Sequence, residues 1–565
     1  MAAAVAPVMR QRVRDLIKQG DGMFTTGAPR LSLWQTLAEN FHVMRADFTR
    51  VRYISEEFGS YLMTGRPAMA CRDLTNSIPA MLRPRGQQWF KQRTHAKRVN
   101  DNVACRQWLD WASETQYNGM YARRAKLMRA TKECDGDYAA FGNGVITCEP
   151  NRTRDTLLYR NWHLRDVVWA ENAELEIDRV NFKWSPECQV LAEMFPKFID
   201  PKVELARKDN PFKTIQCRRI IIDADDYDMP RAQRKDRKWI SIYVDCENET
   251  LLEEVPVRVN PAIIPRWATV SGSPYAYSPA AIYGLPDGRM LQQITLTILE
   301  AGQKVVDPPM IAVGEAINGG VNSGAGMVTW ADADYDERMG EVLRPITLKP
   351  EGLAFGAQRE ERIEKMLDNA FFLNQLRMPQ VTKEMTADET ERVYEEFMRQ
   401  SLPLLEPIEE EYSGQLCETS FEQMRDMGSF GSVYDMPQQL RGADLKWEFT
   451  SPLQAAKDKI KIGKFQQAIQ IVVGAMQINK NAADNLDLDK GVRDGLLAAD
   501  GADWIVDEKQ RDQRRQNDAA QQQALEAAQA VAHGADAATR VAGAVSSGQD
   551  AMQKLQQAGF SAPGA

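Results

Sequence analysis

The chain has 565 residues, 43% of them hydrophobic and 26% charged, with a formal net charge of −9. That apolar content excludes global disorder, and about 150 residues per domain predicts three or four structural units. The negative balance confines any nucleic-acid contact to local patches, and no run approaches the roughly 20 apolar residues that span a bilayer, so the expectation is a soluble protein made and used in the cytoplasm, or in something assembled there.

Residues 1–83 carry mixed helical patterns, with Leu33, Leu37, Phe41 and Met44 at helical spacing. Residues 85–132 are basic, eleven Lys/Arg against three Asp/Glu, and Trp108, Trp111, Ala112 and Thr115 form an apolar helical face there. The basic residues read either as a solvated face or as a surface for an anion or a neighbouring subunit. From about 138 to 260 the texture changes to short β-like runs: AFGNGVITCEP, LRDVVWAENAELEIDRVNFKW, CRRIIIDAD and WISIYVDCENETLLEEVPV. Between them Ser185 and Pro186 read as an N-cap and a first helical residue.

The stretch 264–286, IPRWATVSGSPYAYSPAAIYGLP, has four prolines and reads as a shaped hinge. After it, Leu291, Ile294, Ile298, Ala301 and Val305 form one stripe along a helix predicted over about 287–305, and Pro308 and Pro309 stop it. Residues 311–356 are irregular and glycine-rich. A helix resumes over 357–377, with Ile363, Met366, Leu367, Ala370 and Phe371 on one face. After a break, Thr386 and Glu389 form a capping box, and Val393 and Phe397 continue that helix. Pro403 and Pro407 predict a kink within it. Residues 351–426 are acidic, eighteen Asp/Glu against eight Lys/Arg. Further helices follow over 453–500. The Ala/Gln-rich last 59 residues favour helix but bury too little to hold one alone.

Chemistry is sparse. The eight cysteines (71, 105, 134, 148, 188, 217, 246 and 417) are scattered without a C-x-x-C pair, which predicts free thiols and no zinc site. His42, His95, His163 and His533 have no catalytic spacing. GGVNSGAG lacks the Lys-Ser/Thr of a P-loop, GNG at 142–144 reads as a lone turn, and Glu409, Glu410 and Glu411 point different ways on a helix. One basic cluster stands between two strands: Arg231, Arg234, Lys235, Arg237 and Lys238. It reads as a solubilising tip or as a docking surface for an acidic partner or phosphates. No enzyme, cofactor or metal is expected.

Several stretches together resemble the portal, or head-to-tail connector, proteins of short-tailed, T7-like podoviruses. They are YAAFGNGVI at 138–146 as an early strand segment, RNWHLRDVVWAENAELEIDRV at 160–180, IPRWATVSGSPYAYSPA at 264–280, MTADETERVYEE at 385–396 and LLEPIEEEY at 404–412. The resemblance covers roughly 30–450. Ala276 stands where the family has glycine, and the N-terminal segment is less typical.

The resemblance implies an α+β portal fold with wing, clip, stem, crown and C-terminal helical barrel, assembled as a cyclic ring. It implies wing at 1–205, clip at 206–277, stem helix at 278–307 and wing again at 308–450. Within the latter fall a tunnel loop at about 374–385 and a kinked helix at 386–412. Crown at 451–505 and barrel at 506–565 complete it. Asn374, Gln375, Arg377 and Lys383 would then approach DNA in the channel. The basic cluster would dock partners from the clip, and Leu291, Ile294, Ile298 and Val305 would form a seam between subunits rather than a monomer core. The implied role is a dodecameric channel at one capsid vertex for DNA packaging and ejection. The implied partners are the terminase large subunit, tail adaptor or nozzle proteins, major capsid and scaffolding proteins and, transiently and without sequence preference, double-stranded DNA. No membrane is implied. The location is the virion, and the host cytoplasm during assembly. The other reading is a different virion structural protein, such as a tail adaptor or internal ejection protein.

Overall fold

The structure is a computed structural model. It describes residues 2–449, apart from 54, 101, 197–199, 228–236, short segments between 314 and 350, 378–386 and 433–434, together with a few residues between 469 and 521. Two compact units divide the chain, Met1–Ala456 and Lys457–Ala565. The described residues of the second are helical. The residues expected to form crown and barrel lie almost wholly outside the described ones.

In the first unit, α1 (Ala2–Gly27), α2 (Pro29–Phe41) and α3 (Arg66–Leu82) come first. They are followed by α4 (Lys97–Asn100), α5 (Val103–Met120) and α6 (Leu127–Phe141). Asn102 caps α5, accepting from Ala104 N at 3.0 Å. The buried face of α5 is Cys105, Leu109 and Ala112 with Ser113 and Gln116. Trp111, expected on that face, is exposed, because the face steps from 105 to 109 and 112. Met44 is likewise exposed, while Leu37 and Phe41 are buried.

A five-stranded antiparallel sheet runs in the order β4-β5-β6-β7-β8, from Val167–Glu171, Ile177–Trp184, Cys217–Asp223, Trp239–Asp245 and Thr250–Val257. Alternation sends Ile220, Ile222, Ile240 and Ile242 to one face, where Val13 and Leu16 of α1 complete the core. The other face receives α7 (Cys188–Met194) and α8 (Pro201–Asp209), through Leu191, Phe195 and Val203 packed with Cys217. The expected boundary at 206 therefore falls inside one sheet: β4 and β5 belong with β6 to β8, and α1 covers them. Ser185 is not a cap. Residues 186–188 run extended against 213–215, so α7 starts only at Cys188.

A three-stranded sheet, β3-β2-β9, joins Leu157–Asn161, Ile146–Pro150 and Ala262–Ile263. The expected early strand at 138–146 is mostly the end of α6. Gly142, at φ +75°, terminates that helix, and β2 begins at Ile146. Ribbons pair β1 (Phe90–Thr94) with β14 (Leu445–Phe449) and β10 (Ala268–Val270) with β11 (Ser273–Tyr277). A third pairs β12 (Met310–Ala312) with β13 (Leu343–Pro345).

The long helix after the hinge is α9 (Leu285–Val306), and α10 (Glu351–Ala370) starts six residues before the predicted 357. Then come α11 (Leu373–Leu376), α12 (Ala387–Ile408) and α13 (Gln415–Asp426). Pro403 and Pro407 do not end α12, which runs into a π-helical turn at Glu409–Gly414 and on into α13. A π turn tolerates the shifted hydrogen-bond register that a helical proline imposes. Thr386 of the capping box lies outside the described residues.

Candidate functional site

The stretch 264–286 is clamped rather than loose. Its clamp is the Gly-Asn-Gly of residues 142–144, which in the sequence reads as a lone turn. The Asn143 amide donates to Ala276 O at 2.8 Å and accepts from Ala276 N at 2.9 Å, so one side chain replaces a strand partner. Trp267 N bonds Gly142 O at 2.8 Å, Gly144 N bonds Pro265 O at 3.2 Å, and Ser278 Oγ bonds Ala140 O at 2.7 Å. A Cβ on Gly142 would collide with the backbone of Tyr277 and Ser278. The signal available in sequence was the asparagine flanked by glycines, a residue able to satisfy a backbone where side chains would not fit.

Arg266 extends the clamp. Its Nε donates to Glu411 at 2.6 Å and its Nη1 to Glu171. One guanidinium thus ties the hinge to β4 and to the π turn. Burial pushes the Glu411 carboxyl above its ordinary range, and Arg266 pulls it part of the way back. Nearby, Arg83 and Asp135 form a fully buried ion pair, Nη2 to Oδ2 at 2.7 Å, with the guanidinium 4.3 Å from the Tyr412 ring centroid. Trp169 Nε1 donates to Pro274 O at 2.8 Å, and Arg30 stacks on Tyr275 at 3.8 Å.

Beyond the hinge, α9 and α10 pack antiparallel. Thr295 Oγ1 donates to Glu360 at 2.6 Å, and Ile298 lies against Gly356, where a Cβ would sit 3.0 Å from it. Gln292 anchors α9 to Met63 N and Thr64 O, both at 2.7 Å. Of the predicted seam, Leu291 is 0% exposed within a single chain, so it belongs to the monomer core. Its side of α9 faces α2 and α10. Ile294 and Ile298 are half-buried, and Val305 is exposed. At the far end of the pair, Leu299, Val306 and Phe355 are exposed, beside a groove of about 700 Å³ that includes Ile298, Gly302 and Leu353.

Of the predicted channel residues, Asn374 and Gln375 sit on α11, with Asn374 exposed and bonded to Asn369 at 2.6 Å. Arg377 follows α11 and is exposed, and Lys383 lies outside the described residues. Of the basic cluster, Arg231, Arg234 and Lys235 also lie outside them. Arg237 bonds Asp426 at 3.1 Å and Pro256 O at 2.8 Å, and Lys238 lies 3.4 Å from Glu176.

Among the described residues no group of His, Cys, Asp and Glu is disposed to hold a metal ion, and no helix is long and apolar enough to cross a membrane. His163 does lie 2.7 Å from Asp47, but its Nδ1 accepts the Arg165 backbone N–H at 3.0 Å. Both ring nitrogens are therefore engaged in holding the loop.

A family profile described as "Bacteriophage head to tail connecting protein" matches residues 14–506. A relative named "Probable portal protein", from Bordetella phage BPP-1, is 24% identical over 540 residues, covering 94% of this chain and 95% of the relative. The "Portal protein" of Salmonella phage epsilon15 is 22% identical over 479 residues, covering 83% and 84%. A chain from the solved "Neck of native GTA particle computed with C12 symmetry" is 10% identical with a TM-score of 0.33, covering 71% of this chain and 86% of that one. That likeness is too slight to bear on symmetry.

Proposed function

The chain belongs to the bacteriophage head-to-tail connecting protein family and has a phage portal role as a structural connector, not an enzyme; on that premise we propose that it closes into a dodecameric ring at one capsid vertex, through which DNA enters and leaves. The observation that supports the ring is the α9–α10 pair. Its inner stripe is used within the chain, yet its far end leaves Leu299, Val306 and Phe355 exposed, Val306 at 88%. Apolar surface of that kind marks an interaction site. A closed ring needs two different faces meeting head to tail, and the two helices of an antiparallel pair supply them.

Partner docking moves with this reading. Strands β6 to β8 of the clip expected at 206–277 share one sheet with β4 and β5, and the two described basic residues of its tip pair with Asp426 and Glu176. The segment joining α9 to α10, residues 307–350, carries the exposed Met327, Val328 and Trp330, between the strands of the β12–β13 ribbon in sequence. It is the better seat for terminase first and tail adaptors afterwards. Arg377 and Lys383, with Asn374 and Gln375, line the channel in this proposal. Sparse positive charge there lets a strand slide where dense phosphate binding would hold it. Scaffolding and major capsid proteins would contact the outside of the ring in the host cytoplasm.

Negative-stain imaging with light scattering tests the ring. The expected result is annular particles of dodecameric mass, lost in Val306→Glu with Phe355→Glu while the single chain stays folded. A protein that remains monomeric with and without its scaffolding protein would overturn it.

A further inference from the structure

Between the five-stranded sheet, the β2–β3 hairpin and the end of α13 lies a cleft of about 440 Å³. Its floor is fixed. Arg219, 1% exposed, donates to Glu149 and, through Nε, to Ser241 Oγ at 3.3 Å, and lies 5.3 Å from the Tyr243 ring centroid. Asp426 on the far wall accepts from Arg237 and Arg258 at 3.1 and 3.0 Å. Two of the three carboxylates lining the cleft are therefore matched from within. Trp184, Phe195 and Tyr243 form an interlocked aromatic wall, with ring centroids 5.2 to 6.5 Å apart.

At the mouth three arginines face one lining carboxylate that the floor does not match, Glu253, whose charged form Arg154 favours. Arg152, Arg154 and Arg160 all line the mouth and are exposed. Arg152 approaches Glu193 no closer than 3.8 Å, beyond a hydrogen bond. Arg160 lies over the Trp162 ring at 5.5 Å. Neither Arg154 nor Arg160 donates a hydrogen bond to a carboxylate among the described residues. The Arg154 backbone is held at φ +54° in the turn that Asn151 closes with Asp155 N at 3.0 Å.

We propose that this cleft binds an acidic peptide segment of a partner protein, its carboxylates on Arg152, Arg154 and Arg160 and an apolar side chain between them against Trp184, Phe195 and Tyr243. Guanidinium groups suit carboxylates in planar, paired geometry, and the volume suits a few side chains. Of the lining carboxylates, Glu149 and Asp426 are matched by Arg219, Arg237 and Arg258, and Glu253 faces Arg154. The aromatic wall beside the arginines suits a peptide, whose side chains differ in character, over a run of phosphates alone. None of its lining residues lies on α9 or α10, the pair proposed for the ring contact.

The test uses the full-length protein and fluorescence anisotropy of a labelled Glu-Glu-Leu-Phe-Glu-Glu peptide. The same peptide with lysine for glutamate is the control, and inorganic phosphate is the competitor. The expected result is saturable binding of the glutamate peptide alone, weakened at least tenfold in Arg154→Glu with Arg160→Glu and weakened by added salt. Circular dichroism checks the fold of the variant, and Arg154→Ala repeats the comparison if that variant misfolds. No binding of the glutamate peptide, or equal binding by the folded variants, overturns the proposal. Displacement by millimolar phosphate overturns it in favour of a phosphate site.

Discussion

Replacing Arg266 by methionine removes one side chain from three elements at once. The side chains of Arg266, Glu171 and Glu411 are 13, 17 and 24% exposed, so the substitution leaves two carboxylates in a site mostly shut to water. Breaking a buried pair by removing one partner costs about 3–5 kcal/mol. Residual exposure puts this one at the lower end, about 3 kcal/mol. Unfolding entropy is about 2 cal/mol/K per residue, so over Met1–Ala456 the melting midpoint falls by about 3 °C. The pH dependence is the sharper test. The Glu411 pKa is already raised by burial, and it climbs further without Arg266. A carboxyl whose folded pKa lies above its unfolded value adds stability below the unfolded pKa and loses it as pH rises through the folded one. The Arg266→Met deficit therefore shrinks as pH falls from 7 towards 5. Adding Glu171→Gln and Glu411→Gln restores most of the loss at pH 7. Differential scanning calorimetry across that range is the assay. A deficit independent of pH, or no deficit at all, would refute the reasoning.

Arg83→Leu strands Asp135, which is 1% exposed, and is expected to cost about 3–5 kcal/mol. The further change Asp135→Asn recovers part of that loss, as read from thermal midpoints. Gly142→Ala combines a positive φ with a backbone collision and is expected to lower the midpoint by the equivalent of more than about 2 kcal/mol. Gly22→Ala is the contrast. It lies in α1 with open space around it, so it raises stability by about 0.5–1 kcal/mol. Burial pushes Cys71 and Cys148 up to about 12 and Cys246 up to about 11. Native protein at pH 8 is therefore expected to release almost no thionitrobenzoate from Ellman's reagent, whereas all eight cysteines react in guanidinium. Rapid reaction of several thiols in native protein would refute the burial.

What could be read from sequence was what neighbours along the chain decide. The consecutive isoleucines of Cys217–Asp223 and the alternating ones of Trp239–Asp245 announce strands. The stripe from Leu291 announces α9, which spans Leu285–Val306. The family motifs stood in an order that could be recognised. What could not be read was which surface each element meets. Leu291 and Val305 share one stripe, but only Leu291 is buried within the chain; the seam is what the resemblance implies for both, and spacing alone does not separate them. The N-terminal helix gave no local sign that Val13 and Leu16 would close a sheet more than 200 residues away.

The same limit explains the hinge. Prolines and glycines made 264–286 look like a place where the chain bends. The groups that decide its mechanics come from elsewhere: Asn143 is 133 residues from Ala276, Glu171 is 95 from Arg266, and Glu411 is 145 from it. Moving α9 relative to the sheet would break both Asn143 bonds to Ala276, the Ser278–Ala140 bond and the Arg266 ion pairs together. Each of these groups is buried or half-buried, so each broken bond would leave a polar group without water to replace its partner. The cost of such a motion is the sum of several such losses. The stretch is therefore held as a fixed elbow, bonded at once to β4, to the π turn and to the end of α6, just before α9 begins.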